Sequence, residues 1–149
     1  MAQRALAVLV LVLMAMAAGS APSFARAEVI SVHLAPSGDA DGSGIAVLRF
    51  DSDAGRVCYT IVARDIGAPQ EPAPGIGSAH IHGPLPAGGI AIDLDTVFRS
   101  TGTDTYVSTG CVAADRAAID AVLVNPQRYY INVHNAQFPG GAVQGNLAG

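Results

Sequence analysis

The sequence predicts an all-β protein: an antiparallel β-sandwich or barrel of seven or eight strands with one short helix. Short stretches of alternating apolar and polar residues recur along the chain, and turn residues separate them. Half of the 149 residues are hydrophobic and only 13% are charged, which excludes a disordered chain and a coiled coil. The length and the lack of a linker-like stretch indicate a single domain.

The first 27 residues have the pattern of a cleaved secretory signal. A basic start at residues 1–4 precedes 14 apolar residues and an Ala-x-Ala end at 25–27. The apolar run is short for a membrane span, which favours cleavage over an uncleaved anchor. We therefore expect a mature domain of residues 28–149 that is secreted or stays in the periplasm or cell envelope, with no membrane attachment after cleavage.

The charge of the expected mature domain restricts its partners. Six basic and twelve acidic residues remain after cleavage, for a net charge of −6. Binding to nucleic acid requires a basic surface, so nucleic acid is not expected as a partner. Repulsion from anionic lipid is expected for the same reason.

The first three strands are predicted at residues 29–34, 44–51 and 56–63. A cluster of Gly, Ser and Asp at 36–43 separates the first two strands, and a tight hairpin turn at 52–55 separates the second from the third. Apolar and polar residues alternate most clearly in the third strand, which indicates one buried and one outward face.

The middle of the chain combines a long loop with two short strands. Residues 66–77 carry three prolines, which cannot donate a ladder hydrogen bond, so a loop is predicted there. A strand at 78–82 is stopped by the Gly-Pro pair at 83–84. Alternation resumes at 89–95, where Ile and Leu face one side and two Asp residues face the other.

The C-terminal part contains the predicted helix. The remaining predicted elements are a strand at 105–112, a helix at 114–124 and strands at 128–134 and 141–147. In the helix Ile119 and Val122 share one face, Asp115 lies in the first turn and Pro126 ends the element. A turn at 135–140 separates the last two strands, and Gly145 within the final strand indicates a bulge or a close approach of another side chain.

Cys58 and Cys111 are the two cysteines of the sequence. An exported protein meets an oxidising compartment, and an even number of cysteines there suggests one disulfide. Two buried free thiols are the alternative.

Three of the four histidines are candidate metal ligands. His80 and His82 are two residues apart on a predicted strand, so both point to one face. His134 ends another strand and shares a face with Asn132. If these two strands are neighbours, three imidazoles converge in a set that suits copper or zinc. Asn132 and Asp93 are then candidate hydrogen-bond partners of the ligating rings.

The histidines also have a purely structural interpretation. Their ring nitrogens would then hydrogen-bond loop carbonyls around the Pro-rich turns. Which interpretation holds depends on strand adjacency, which the spacing alone does not supply. His33, the fourth histidine, is expected to be an ordinary strand residue.

Four blocks of the sequence resemble the CHRD domain, which is named from chordin and also occurs in exported microbial proteins. The blocks are AHIHGP at 79–84, GGI at 88–90, YYINVH at 129–134 and FPGGAVQGNL at 138–147. The resemblance covers the whole expected mature chain and implies an immunoglobulin-like or barrel-like β-sandwich. The usual Arg and Gln of the family's closing block are Gln144 and Asn146 here, so a ligand contact made by that Arg is not carried over.

The resemblance implies an exported module that binds an extracellular or envelope protein without catalytic activity, since chordin is a secreted protein that binds growth factors. The H-x-H strand is also similar to the copper strand of copper/zinc superoxide dismutase, another Greek-key β protein, but that enzyme's zinc-loop histidine cluster is missing. Two other functions stay open: a copper- or zinc-binding protein with redox or dismutase-like activity, and a structural cell-envelope module. No residue is predicted to be catalytic.

Overall fold

The computed structural model describes residues 27–71, 73–86 and 88–149. The predicted secretory signal therefore lies almost entirely outside the described residues. The strands are β1 (Glu28–Pro36), β2 (Ser43–Asp51), β3 (Arg56–Arg64), β4 (Ala79–His82), β5 (Ile90–Asp93), β6 (Arg99–Gly102), β7 (Thr105–Ala113), β8 (Tyr130–Val133) and β9 (Val143–Asn146). One α-helix, α1 (Arg116–Val124), and a 3₁₀ turn, Pro126–Arg128, precede β8.

All nine described strands form one curled antiparallel sheet in the order β5-β4-β8-β9-β1-β2-β3-β7-β6. The first part of β1 pairs with β2, and its last two residues pair with β9. β1 therefore joins the two halves of the sheet. The predicted all-β class with antiparallel strands and one short helix is confirmed.

The interior of the curled sheet follows the alternation of the strands. In β3 the core side is formed by Val57, Tyr59, Ile61 and Ala63, all buried, while the intervening residues face outward. The helix adds Ile119 and Val122, both fully buried. Burying an aliphatic side chain of this size stabilises the fold by roughly 1.5–3 kcal/mol, so the alternating faces account for much of the stability.

The segment between the edge strands β5 and β6 ties the two halves of the sheet together. The backbone N–H of Ala79 in β4 donates to Thr96 Oγ1 at 2.8 Å. The hydroxyl of Ser108 in β7 donates to the Val97 carbonyl at 2.8 Å. One short segment therefore contacts both ends of the strand order and holds the sheet in its curled form.

Two details differ from the sequence prediction. β6 was not predicted, because all four of its residues are exposed and its sequence has no apolar alternation. The helix begins at Arg116 rather than at 114, because Asp115 is the N-cap and its carboxylate accepts a hydrogen bond from the Ala117 N–H at 2.9 Å. That bond satisfies one of the free donors at the start of the helix.

The predicted disulfide is confirmed. Cys58 and Cys111 lie directly opposite each other on β3 and β7, and their Cα atoms are 3.9 Å apart. Both side chains are on the outward side of their strands, and Cys111 is exposed. The bond therefore crosses the outer surface of the sheet and not the core.

The close approach predicted at Gly145 is also confirmed. A methyl group built there would collide with the His33 carbonyl and the Val32 side chain of β1. Only glycine lets β9 approach β1 this closely, so this position helps to join the two halves of the sheet. Within the described ranges, no helix is both long enough and apolar enough to span a bilayer.

Candidate metal centre

The predicted adjacency of the two histidine strands is found in the structure. β4 and β8 are hydrogen-bonded neighbours, with His80 opposite Asn132 and His82 opposite Tyr130. Since opposite residues of an antiparallel pair share a face, the three histidines lie on one side of the sheet. Ile81 and Ile131 point to the other side, where both are fully buried in the core.

The three imidazoles form a compact cluster with His80 in the middle. The ring centroid of His80 lies 4.6 Å from that of His82 and 4.5 Å from that of His134, while the two outer rings are 6.5 Å apart. Each ring offers one nitrogen, and these three nitrogens all lie within 4.8 Å of one another. The residues brought together are therefore the three predicted from the sequence.

Loops cover this face of the sheet, which explains why a set of polar residues is buried. His80 is 2% exposed and His134 3% exposed. Residue 69 of the Pro-rich loop forms a β-bridge with Asn135, and the Gln70 N–H donates to the His134 carbonyl at 3.0 Å. His82 remains half-buried, so the cluster is most accessible at His82.

His134 has a defined hydrogen bond on one ring nitrogen. Its Nδ1 lies 2.8 Å from the Pro139 carbonyl, which only accepts, so Nδ1 carries the proton. The Nε2 atom is therefore the nitrogen with a free lone pair, which is the form that binds a metal. The structural interpretation of the histidines, that they bond loop carbonyls, thus holds for this nitrogen, and the backbone hydrogen bonds of the His82 ring with Gly88 and Gly89 also agree with it.

Four other ring nitrogens of the cluster are buried without a hydrogen-bond partner. These atoms are both nitrogens of His80, the Nε2 of His82 and the Nε2 of His134. A buried polar atom left without a hydrogen bond costs about 1–3 kcal/mol, and native proteins contain few of them. Four such atoms in one cluster are therefore an unusual feature of this fold.

The site favours neutral imidazoles. Burial lowers the pKa of His80 to about 4, and the neighbouring charges of His134 and His82 act in the same direction. Burial also lowers the pKa of His82 and of His134. All three rings are therefore neutral near pH 7, and each retains a lone pair.

Asn132 and Asp93 flank His80 on either side. Asn132 is 1% exposed, and its Oδ1 atom is buried without a partner. Asp93 instead accepts hydrogen bonds from the N–H groups of Gly77 and Asp95, at 3.0 to 3.1 Å. Among the described residues, no bond joins Asp93 to a histidine ring; its carboxylate holds the end of the Pro-rich loop. Their predicted roles toward the histidines remain predictions.

Tyr130 is a neighbour of the cluster that the sequence analysis did not single out. Its ring stacks on His82 with an interplanar angle of 8° and a centroid distance of 5.1 Å. The available signal was the two-residue period of β8, which places Tyr130 on the same face as Asn132 and His134. The Tyr130 ring therefore lies against His82, the most accessible of the three histidines.

The remaining residues considered from the sequence lie elsewhere. His33 is exposed on β1. Gln144 is exposed on β9, and the Asn146 amide donates to the Gln127 carbonyl at 3.0 Å. The two departures from the CHRD closing block therefore lie outside the histidine cluster.

Comparison with known proteins identifies the family. No curated protein and no solved structure matches the chain. The family model of the CHRD domain matches residues 25–147, which include every described strand, the disulfide and the histidine cluster. The chain therefore belongs to the CHRD domain family.

Proposed function

We propose that this CHRD domain is an exported metal-binding protein that holds one copper or zinc ion through His80, His82 and His134. The domain remains a binding module without catalytic activity. Binding is assigned to the histidine face predicted from the sequence, with a metal ion in place of a protein partner. Transition metals of this class bind neutral imidazole well.

The hydrogen bonds of the cluster carry the proposal. A metal ion bound by one nitrogen of each ring supplies a partner for three of the four unpaired nitrogens. The second nitrogen of His80 then carries a proton and needs an acceptor, and Asn132 Oδ1, directly across the strand pair, is a buried acceptor without a partner. One ion and one short hydrogen bond thus satisfy all five atoms.

The distances require only a small adjustment. Nitrogen ligands at 2.0–2.1 Å from a zinc ion in tetrahedral geometry lie about 3.4 Å apart, against the 4.8 Å that encloses the three nitrogens here. Ring rotations of His82, the half-buried member at the end of β4, bring the ligands closer. The strand backbones can remain in place.

The proposed location follows from the predicted signal at residues 1–27 and the disulfide. A disulfide between exposed strands persists in an oxidising compartment, which fits export to the periplasm, the envelope or the medium. The acidic net charge attracts cations to the surface in general.

The test is a titration of the mature chain with Cu(II), Cu(I) and Zn(II), together with its metal content after purification. We expect one equivalent of metal in the wild type and a loss of affinity of at least about 100-fold in His82→Ala, because a ligand is removed. His33→Ala is the matched control and is expected to bind as the wild type. Equal binding by wild type and His82→Ala would reject the metal site.

A further inference from the structure

The ligand set of the proposed site carries no negative charge. It consists of three neutral imidazoles, and within the described ranges no cysteine or carboxylate joins them in the cluster. The cysteines are bonded to each other on the other half of the sheet. Asp93, opposite His80 on β5, has its carboxylate bound to the backbone N–H groups of Gly77 and Asp95. The ligands themselves therefore do not neutralise a bound ion, and Asp93, whose charge acts on His80 from the neighbouring strand, is a nearby carboxylate outside the ligand set.

Burial gives the bound ion a desolvation cost, and this cost grows with the square of the ionic charge. His80 and His134 are almost completely buried, with 2% and 3% of their surface exposed. A divalent ion has about four times the desolvation cost of a monovalent ion of the same size, because the Born energy grows with the square of the charge. With neutral ligands, this difference favours a monovalent ion.

The number of available ligands also favours a monovalent ion. Structural zinc sites use four protein ligands, three-histidine zinc sites add a water molecule as the fourth ligand, and Cu(II) prefers tetragonal coordination. Here the three protein ligands are imidazoles, with His80 between two rings whose centroids are 6.5 Å apart. Asn132 Oδ1 is required as the acceptor for His80 and so does not serve as a fourth ligand. Cu(I) is satisfied by two or three nitrogen ligands.

We infer that the ion held by His80, His82 and His134 is Cu(I), selected against Zn(II). This inference rests on the proposed function and names the metal that the site takes. The ion enters beside His82, the half-buried ring, where the tight loop after β4 begins. There a side chain at Gly88 would collide with the backbone of Gly83, so the loop closes compactly next to the ligand.

The experiment compares the two metals on the same protein. Cu(I) is titrated without oxygen against bicinchoninate, and Zn(II) against a chromophoric zinc indicator. We expect the Kd for Cu(I) to be lower than the Kd for Zn(II) by at least about tenfold, and X-ray absorption to show two or three nitrogen ligands around copper. His33→Ala is the matched control and keeps both affinities.

The outcomes separate this inference from the function on which it rests. A ratio of about tenfold or more in favour of Cu(I), lost in His82→Ala, supports the inference. A smaller ratio, or tighter binding of Zn(II), overturns the choice of Cu(I) but leaves a metal-binding protein. If neither metal binds more tightly to the wild type than to His82→Ala, both the inference and the proposed function are overturned.

Discussion

The disulfide and the histidine cluster are built from the same kind of strand pair but differ in how their polar atoms are satisfied. Cys58 and Cys111 lie opposite each other on β3 and β7, and His80 and Asn132 lie opposite each other on β4 and β8. The two sulfurs bond to each other on an open surface. The His80 nitrogens and Asn132 Oδ1 are buried without partners.

In the proposed function, this difference separates a pair that serves the fold from one that serves a ligand. The disulfide is complete within the chain, so its effect is on the stability of the domain. Each unpaired buried atom of the histidine cluster costs free energy. A bound metal ion would supply the missing partners and remove that cost.

Removal of the disulfide is expected to have the largest effect on stability. In the chain-entropy model a loop of 53 residues contributes about 4 kcal/mol to the free energy of unfolding. The double variant Cys58→Ala/Cys111→Ala should lose about this much in urea unfolding while its metal affinity stays within about twofold of wild type. A large loss of metal affinity would show that the two regions are coupled and would break the comparison.

Replacing His80 by Leu is expected to lower the stability of the protein only when metal is present. At a metal concentration 100 times the Kd, binding stabilises the wild type by about 2.7 kcal/mol, and His80→Leu should lose that gain. Without metal the variant should be as stable as the wild type or about 1 kcal/mol more stable, because unpaired polar atoms are replaced by apolar ones. Thermal unfolding with and without metal measures both effects.

The opposite result in the metal-free protein would be informative. If His80→Leu were strongly destabilising without metal, the nitrogens of His80 would already be satisfied, and the contrast with the disulfide would disappear. His33→Leu is the control for the substitution itself, since His33 is exposed on β1.

Asn132 is expected to act on the metal through His80. Asn132→Ala removes the acceptor for the His80 N–H and should weaken metal binding about 10- to 100-fold. Asn132→Asp keeps an acceptor oxygen at the same place and should restore the affinity. Isothermal titration of the two variants distinguishes the roles: equal losses in Ala and Asp would mean that Asn132 is needed only for packing.

Replacing Arg116 is expected to have the smallest effect on the free energy of unfolding. This residue serves as a reference for polar groups that are exposed and have a partner. Its guanidinium is 2.9 Å from the Asp53 carboxylate, and both side chains are more than half exposed. Arg116→Ala should reduce the free energy of unfolding by about 0.2–1 kcal/mol and leave metal affinity unchanged. A loss of several kcal/mol would show that exposed pairs matter as much as buried ones in this domain.

Much of the fold was predictable because the strands alternate strictly. The buried and outward faces of β3 follow from its two-residue period, and the eight predicted strands each overlap a strand of the structure. β6 was not predicted, because an exposed edge strand has no apolar face and so shows no alternation of apolar and polar residues. The start of α1 was displaced because the cap at Asp115 depends on a side-chain bond.

The candidate site was predictable only in part. The H-x-H spacing places His80 and His82 on one face, and the period of β8 places His134 with Asn132. The stacking of Tyr130 on His82 and the Pro139 carbonyl at His134 depend on ring orientation and loop path. Neither of these two contacts is encoded in a local sequence pattern.

The amino-acid sequence predicted the all-β class and the faces of the strands from local alternation, and the resemblance to the CHRD family from four motif blocks. It left the two cysteines as either one disulfide or two free thiols. The pairing of β4 with β8 was evident only from the folded molecule, because these strands are separated by more than 40 residues and pair through long-range hydrogen bonds. That pairing, together with the loops that cover it, converts three separate histidines into one buried cluster with unpaired nitrogens.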